Sequence, residues 1–350
     1  MDITEFKKTY EHKKVIENNN QIIQNPVVSV CIQTYQHVNY IEQCLDGILM
    51  QKTDFNYEIL LGEDASTDGT REICMDYANR FPDKIRLFLH HRENNIKIGG
   101  QPTGRFNFLY NLYLAQGKYI ALCEGDDYWT NPLKLQKQVD FLEGNEEYVM
   151  CFHKVVLLSK GELIEDNITK VPKDHEMITD LAEKGNYIHT PSVMFKGQNL
   201  DFPNEFRLSP IGDFFLYMLL AKNGKIGYIN EKMTVYRLGS GIWSNKTAYE
   251  RNMKTVYTFA LLIKTNLFSE KVNQILLYRI RSFLKRFKDQ LDLESLTMLT
   301  ITPSIRNTIY QFFLDSTSQK LIKKNDDLTY KQLINGLKMK AFKKLKSIFN

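Results

Sequence analysis

Along the first 130 residues, short apolar runs alternate with longer amphipathic stretches. The β-branched-rich run 27–32 follows Pro26 and predicts a central parallel strand, closed by the polar Gln33-Thr34-Tyr35-Gln36. Ile41, Leu45, Ile48 and Leu49 then recur at helical spacing. The unit repeats. Residues 57–61 predict a strand opening into Gly62-Glu63-Asp64, and Ser66-Thr67-Asp68-Gly69 supplies turn and cap chemistry for a helix carrying Ile73, Tyr77 and Ala78. Residues 85–89 form a third strand, followed by a polar loop and a helix over 103–115. The apolar run 119–122 leads into Cys123-Glu124-Gly125-Asp126-Asp127-Tyr128-Trp129. Four strand and helix pairs predict a doubly wound α/β sheet, in which ligands sit beyond the carboxyl ends of the strands. The polar clusters around Tyr35, Asp64 and Asp126 therefore converge on one cleft.

The pattern changes in the second half. A helix carries Leu133, Leu135, Val139, Phe141 and Leu142, and 148–158 reads as one long strand with a turn at Lys160-Gly161. Segments 188–195, 225–230 and 233–236 read as strands of an antiparallel extension. Between them Gly212-Asp213 opens the apolar helix 214–220, where an acid is a helix cap or something more. From Tyr249 the chain is helical, with amphipathic stretches at 256–267 and 274–287. The last stretch, 331–350, sets lysines on one face and Leu333, Leu337, Phe342, Leu345 and Ile348 on another. Such a helix would lie on an anionic membrane surface, pack on another subunit of a homo-oligomer, or stand as a solvated helix end. Residues 1–25 are polar and read as a short helical arm.

Composition narrows the function. The 350 residues are 43% hydrophobic, enough for one large domain and a smaller one, and 46 basic against 41 acidic residues leave a net charge of +5 without the uniform positive surface of a nucleic-acid binder. Five cysteines form no C-x-x-C pair and two lie in strand-like runs, which points to reduced core thiols in the cytoplasm. The polar opening leads us to expect no secretory signal, and the run 214–221 is too short to span a bilayer, so membrane contact would be peripheral. No G-x-G-x-x-G follows the first strand and no Walker loop is present, which argues against the commonest dinucleotide and triphosphate folds.

The chemistry concentrates in carboxylates. Glu124, Asp126 and Asp127 stand within four positions at a strand end, where repulsion and burial disfavour ionisation unless a cation sits among them; a turn leading into the next helix is the bland alternative.

With Val27-Val28-Ser29-Val30-Cys31-Ile32-Gln33-Thr34-Tyr35, Glu63-Asp64-Ala65-Ser66-Thr67-Asp68-Gly69-Thr70 and Gly125-Asp126-Asp127-Tyr128-Trp129 in this order, the chain resembles glycosyltransferase family 2 over about residues 26–240. The resemblance implies a GT-A fold, a Rossmann-like doubly wound mixed sheet, over 26–245. Residues 26–130 would form the nucleotide-sugar half and 131–245 the acceptor half, with a helical C-terminal region over 246–350. It implies an inverting hexosyl- or N-acetylhexosaminyl-transferase that moves a sugar from a nucleotide-diphosphate donor, UDP-linked, to a hydroxyl of a glycan or lipid-linked acceptor in bacterial surface polysaccharide biosynthesis, at the inner face of the membrane. Mg²⁺ or Mn²⁺ is the implied cofactor.

Roles follow by position. Tyr35 would line the nucleobase and Asp64 would accept from its ring N–H. Gln33, Glu63 and Arg105 would complete the donor side, although a solvated arginine is the competing reading of Arg105. Asp126 would meet the ribose or the metal, Asp127 would be the main metal ligand, Glu124 would stand behind them, and Asp213 would be the catalytic base. Trp129 and Trp243 are acceptor-side candidates. Two departures stand out: Gln33 occupies a place where the family often has proline, and Tyr236-Arg237 is not followed by the histidine that many members place there. His153 and His189 are site candidates or, more simply, core residues. A nucleotidyltransferase and a nucleotide-sugar-binding scaffold without turnover are the rival functions.

Overall fold

The computed structural model describes residues 2–287 apart from 19, 22, 23, 99, 173, 174, 198–200 and 240–245, together with 302, 304 and 305. Helix α1 (Ile3–Tyr10) and strand β1 (Ile16–Glu17) come first. Then β2 (Val28–Thr34), β3 (Tyr57–Glu63), β4 (Ile85–Leu89), a small hairpin of β5 (Lys97–Ile98) and β6 (Gln101–Pro102), and β7 (Tyr119–Glu124) alternate with α2 (Ile41–Leu49), α3 (Thr70–Arg80) and α4 (Arg105–Leu114). The second half runs β8 (Tyr128–Trp129), α5 (Lys134–Glu143), β9 (Tyr148–His153), β10 (Val156–Ser159), β11 (Glu162–Glu165), α6 (Ile178–Lys184), β12 (Met194–Lys196), α7 (Asn204–Leu208), α8 (Gly212–Ala221), β13 (Lys225–Ile229) and β14 (Thr234–Leu238). These elements belong to one compact unit, Met1–Leu208 with Gly212–Lys246. A second unit joins Ser209–Ile211 to the residues from Thr247 onward. In it α9 (Ala248–Lys264) and α10 (Glu270–Phe287) bring Tyr249 against Phe283 and Phe287.

In the first unit an eight-stranded sheet has the order β1-β4-β3-β2-β7-β12-β9-β13. Strands β4, β3, β2 and β7 are parallel neighbours and buried on both faces, which is why they read as continuous apolar runs. Their carboxyl ends lie on one edge. Two asparagines of α4 pin that edge: Asn107 Nδ2 donates to the Gly62 carbonyl (2.8 Å), and Asn111 Nδ2 donates to the carbonyls of Ile32 (2.8 Å) and Leu60 (3.2 Å).

The extension differs from the expected antiparallel one. β12 runs antiparallel to β7 and β9, but β13 runs parallel to β9, with α8 preceding it in the crossover that parallel pairing requires. The single long strand expected over 148–158 is two: β9 stays in the large sheet, and β10 enters a four-stranded sheet of order β11-β10-β14-β8. Both halves are apolar, so hydrophobicity alone conceals the break. The strand expected over 188–195 shrinks to Met194–Lys196, because Pro191 lacks the N–H a ladder needs and sits in a 3-10 turn.

The amino-terminal segment forms its helix but is no mere lead-in. Phe6 is fully buried against Phe106 and Tyr113, and β1 extends the sheet as its edge strand by pairing with β4. Among the described residues no helix is long and apolar enough to cross a membrane. The basic stretch 331–350 and Trp243 lie outside the described residues.

Candidate active site

Three loops leave the carboxyl ends of β2, β3 and β7 side by side. The first two are laced together. Gln36 N–H donates to Ser66 Oγ (2.9 Å), His37 N–H to Thr70 Oγ1 (2.8 Å), and Gln36 and Thr67 exchange two further bonds. The third loop comes in close because Gly125 has no side chain: a Cβ there would lie 2.6 Å from Thr34 Oγ1 and 2.8 Å from His37 Nδ1. Gly125 N–H also donates to the Gln33 carbonyl (3.0 Å).

At the end of β3 the two acids divide. Glu63 is fully buried and accepts from the backbone N–H groups of Ala65 (3.2 Å) and Ser66 (2.6 Å), with Arg71 Nε at 3.3 Å. It therefore shapes the loop rather than facing the cleft. Asp64 Oδ2 accepts from Arg92 Nη1 (2.5 Å) and Asn95 Nδ2 (3.0 Å), while Oδ1 is buried without a hydrogen-bond partner. Burial pushes the Asp64 carboxyl up to about 6, against the pull of Asn95 and Arg92. The guanidinium of Arg92 also lies 3.9 Å over the Tyr35 ring, covering one face of it. Gln33 contributes a buried Nε2 with no hydrogen-bond partner.

At the end of β7 a carboxylate oxygen from each of Glu124, Asp126 and Asp127 lies within 4.8 Å of the others. Asp127 Oδ1 accepts from the backbone N–H of Arg237 (2.8 Å), and Oδ2 is buried without a partner. Burial, with Asp126, Cys123 and Glu124 adding repulsion, raises the Asp127 carboxyl well above the carboxylate range. Glu124 keeps access to solvent, yet enclosure by the protein, followed by repulsion from Asp126 and Asp213, pushes it up to about 8. Such a cluster is relieved by a divalent cation. Three carboxylates and an uncommitted oxygen on Asp127 are the hard donor set that Mg²⁺ or Mn²⁺ prefers, so these residues fit the implied metal.

Arg237 holds this loop. Its side chain donates to the Asp126 carbonyl and to Gln43 Oε1, and it lies over the rings of Tyr40 (4.8 Å) and Tyr128 (4.7 Å). Asp213, in the first turn of α8, is half-buried; its Oδ2 accepts from Asn186 Nδ2 (2.8 Å). Arg105 links the two sets of acids. It is not the solvated arginine of the competing reading: it is 8% exposed, stacked near Phe108 and Phe206 and pressed against Gly212. Burial lowers its guanidinium to about 10, while Asp213 and Glu124 counteract.

The expected acceptor-side role of Trp129 does not fit. Its side chain is 1% exposed in the core, with Lys134 Nζ 3.9 Å over the ring, so no sugar can stack on it. His153 is fully buried and held neutral by burial, a core residue. His189 pairs with Asp166 instead of the acidic cluster. Reading the sequence misses Arg92, Asn95, Asn186 and the clamp by Arg237. Only the Tyr236-Arg237 pair left a local signal.

Residues 29–197 match the family model described as glycosyl transferase family 2. An uncharacterized protein of Mycobacterium tuberculosis is 36% identical over 217 residues, covering 62% of this chain and 60% of that protein, so the chain spans under two thirds of the relative's length. TuaG of Bacillus subtilis, whose name gives glycosyl transfer in teichuronic acid biosynthesis, is 28% identical over 237 residues, 66% of this chain and 87% of TuaG. Among solved structures, TarS of S. aureus in complex with UDP-GlcNAc superposes with a TM-score of 0.54 at 17% identity, over 82% of this chain and 80% of that one. The shared architecture is the GT-A fold.

Proposed function

The chain carries a glycosyltransferase family 2 domain, and we propose that it moves a sugar from a UDP-linked donor to a hydroxyl of a glycan or lipid-linked acceptor, with inversion, in the building of a bacterial surface polysaccharide. The observation that carries this reading is the approach of Asp213 and Arg105 to the cluster Glu124-Asp126-Asp127, near enough that both bear on the Glu124 carboxyl. The UDP form follows the complex of TarS, and the surface polysaccharide follows the name of TuaG.

Asp64 Oδ1 accepts the ring N–H of the base beside Tyr35, an uncommitted oxygen meeting the one donor that uracil offers. Asp127 and Asp126, with Glu124 behind them, hold the divalent ion. When bound, that ion offsets the charge gathering on the departing diphosphate. Asp213 takes the proton of the attacking hydroxyl, while Asn186 fixes its Oδ2 and leaves the carboxylate aimed by the first turn of α8. Arg105, buried nearby, supplies positive charge felt at both Asp213 and Glu124. Asp213 lies beyond the stretch that matches the family model, so its role rests on the resemblance at the start of α8 and on its nearness to Glu124.

The test is binding and hydrolysis of UDP-, GDP- and dTDP-sugars with and without Mn²⁺. One donor is expected to bind in a metal-dependent way that Asp127→Ala abolishes and Asp213→Asn preserves, with turnover lost in both. Failure of every nucleotide sugar to bind sinks the reading.

A further inference from the structure

Tyr236 and the residues behind it have no part in the chemistry above. Tyr236 precedes Arg237 on β14, and the Arg237 backbone N–H holds Asp127 Oδ1 at 2.8 Å, so the strand passes directly beside the acidic cluster. Neighbouring strand side chains point to opposite faces. Arg237 turns toward Tyr40 and Tyr128, and the Tyr236 ring packs instead on His189, with centroids 4.6 Å apart. His189 is fixed in turn, its Nε2 3.2 Å from Asp166 Oδ1, and the two side chains are 5% and 1% exposed. Asp166 Oδ1 also accepts the backbone N–H groups of Ile168 (2.8 Å) and Thr169 (3.2 Å).

Burial alone would raise the Asp166 carboxyl, but the bonds from His189, Thr169 and Ile168 outweigh it and hold the group far below the usual range. An ionised carboxylate only accepts, so His189 presents its Nε2–H to Asp166. This is a buried carboxylate and imidazole supporting one aromatic ring. Tyr236 leaves the strand one residue from the N–H that holds Asp127, and burial first, then the charges of Asp127, Glu124, Asp126 and Asp213, raise its hydroxyl. Carboxylates offer only acceptors, so a tyrosine hydroxyl beside Asp127 brings a donor to the acidic cluster, where in the proposed reaction the transferring sugar lies.

We infer that Tyr236 is a further substrate-contacting residue, its hydroxyl donating a hydrogen bond to the sugar of the donor, and that the Asp166 and His189 pair positions it. This rests on the transferase reading above. The test uses the full chain with UDP, UDP-glucose and UDP-GlcNAc, measuring UDP affinity, donor hydrolysis and melting temperature. Tyr236→Phe removes one hydroxyl and no packing. It should leave UDP affinity and melting unchanged while hydrolysis falls about tenfold, the worth of one hydrogen bond. Asp166→Asn should slow hydrolysis alone and add nothing on top of Tyr236→Phe, because it acts through the same hydroxyl. A merely structural pair would give additive losses, which overturns the positioning role. If Tyr236→Phe hydrolyses donor at the wild-type rate while Asp127→Ala does not, the inference fails and the transferase reading stands. A loss confined to transfer onto an acceptor, with hydrolysis intact, also overturns it. If the wild type binds no nucleotide sugar, both readings fall together.

Discussion

Lowering the pH through 6 is expected to weaken nucleoside binding through Asp64 alone. The carboxyl is 2% exposed, and burial lifts it from 3.8 to about 6 even with Asn95 and Arg92 pulling the other way. Its Oδ1 is the buried acceptor left for a base N–H, and protonation removes that acceptor. With a midpoint near 6, about a tenth of the sites are protonated at pH 7 and about nine tenths at pH 5, so affinity should fall about tenfold, or about 1.4 kcal/mol. Uridine is the right probe, because without phosphates it brings no metal-dependent contact into the measurement. Isothermal titration in metal-free buffer should show the fall in the wild type and a flat, weaker profile in Asp64→Asn. The same shift acts on the fold. The unfolded chain ionises Asp64 near 3.8 while the native chain keeps the proton to about 6, so stability declines as pH rises through that window, by about 3 kcal/mol in the limit. Asp64→Asn should remove that slope. A flat uridine profile in the wild type, or a tenfold fall that survives in Asp64→Asn, would refute the reasoning.

Two further outcomes follow from packing. Gly212→Ala places a Cβ 1.6 Å from Arg105 Nη1, and the guanidinium, confined near two aromatic rings, must move, which changes the positive charge felt at Asp213 and Glu124. We expect a loss of about 1–3 kcal/mol of stability and a larger loss of turnover than of UDP affinity, read by melting and donor hydrolysis. Lys134 is fully buried, donates to Gln138 Oε1 (2.6 Å), and is lowered by burial to about 7. The unfolded chain holds that proton to about 10.5, so Lys134 costs stability increasingly as pH falls from there to 7. Lys134→Met should therefore stabilise more at about pH 7 than at about pH 9.5, by on the order of 3 kcal/mol in urea melts, since the lost bond to Gln138 cancels between the two. Equal effects at both pH values would count against a lowered Lys134.

Much of the nucleotide half was legible in the chain. Strands β2, β3 and β7 are buried on both faces, so each is a continuous apolar run whose end is marked by polar residues. Their adjacency brings Gln33, Asp64 and the Glu124-Asp126-Asp127 group onto one edge. The acceptor half was less legible. One apolar run serves two sheets, and a proline cuts a strand short, because hydrophobicity records burial and not the sheet that provides it.

By itself the sequence determined the alternation of strands and helices, the carboxylates at strand ends, and a helix opening on Asp213, since each is a local relation of a few residues to burial or to a helix terminus. Only the tertiary structure decided which side chains those groups meet. Arg237 reaches Asp127 across 110 positions, Arg92 reaches Asp64 across 28, and Asn186 reaches Asp213 across 27. Folding likewise put Trp129 in the core and buried Arg105 within the field of Asp213 and Glu124. Burial and Coulomb interactions depend on distance in space, which a linear spacing of residues does not carry.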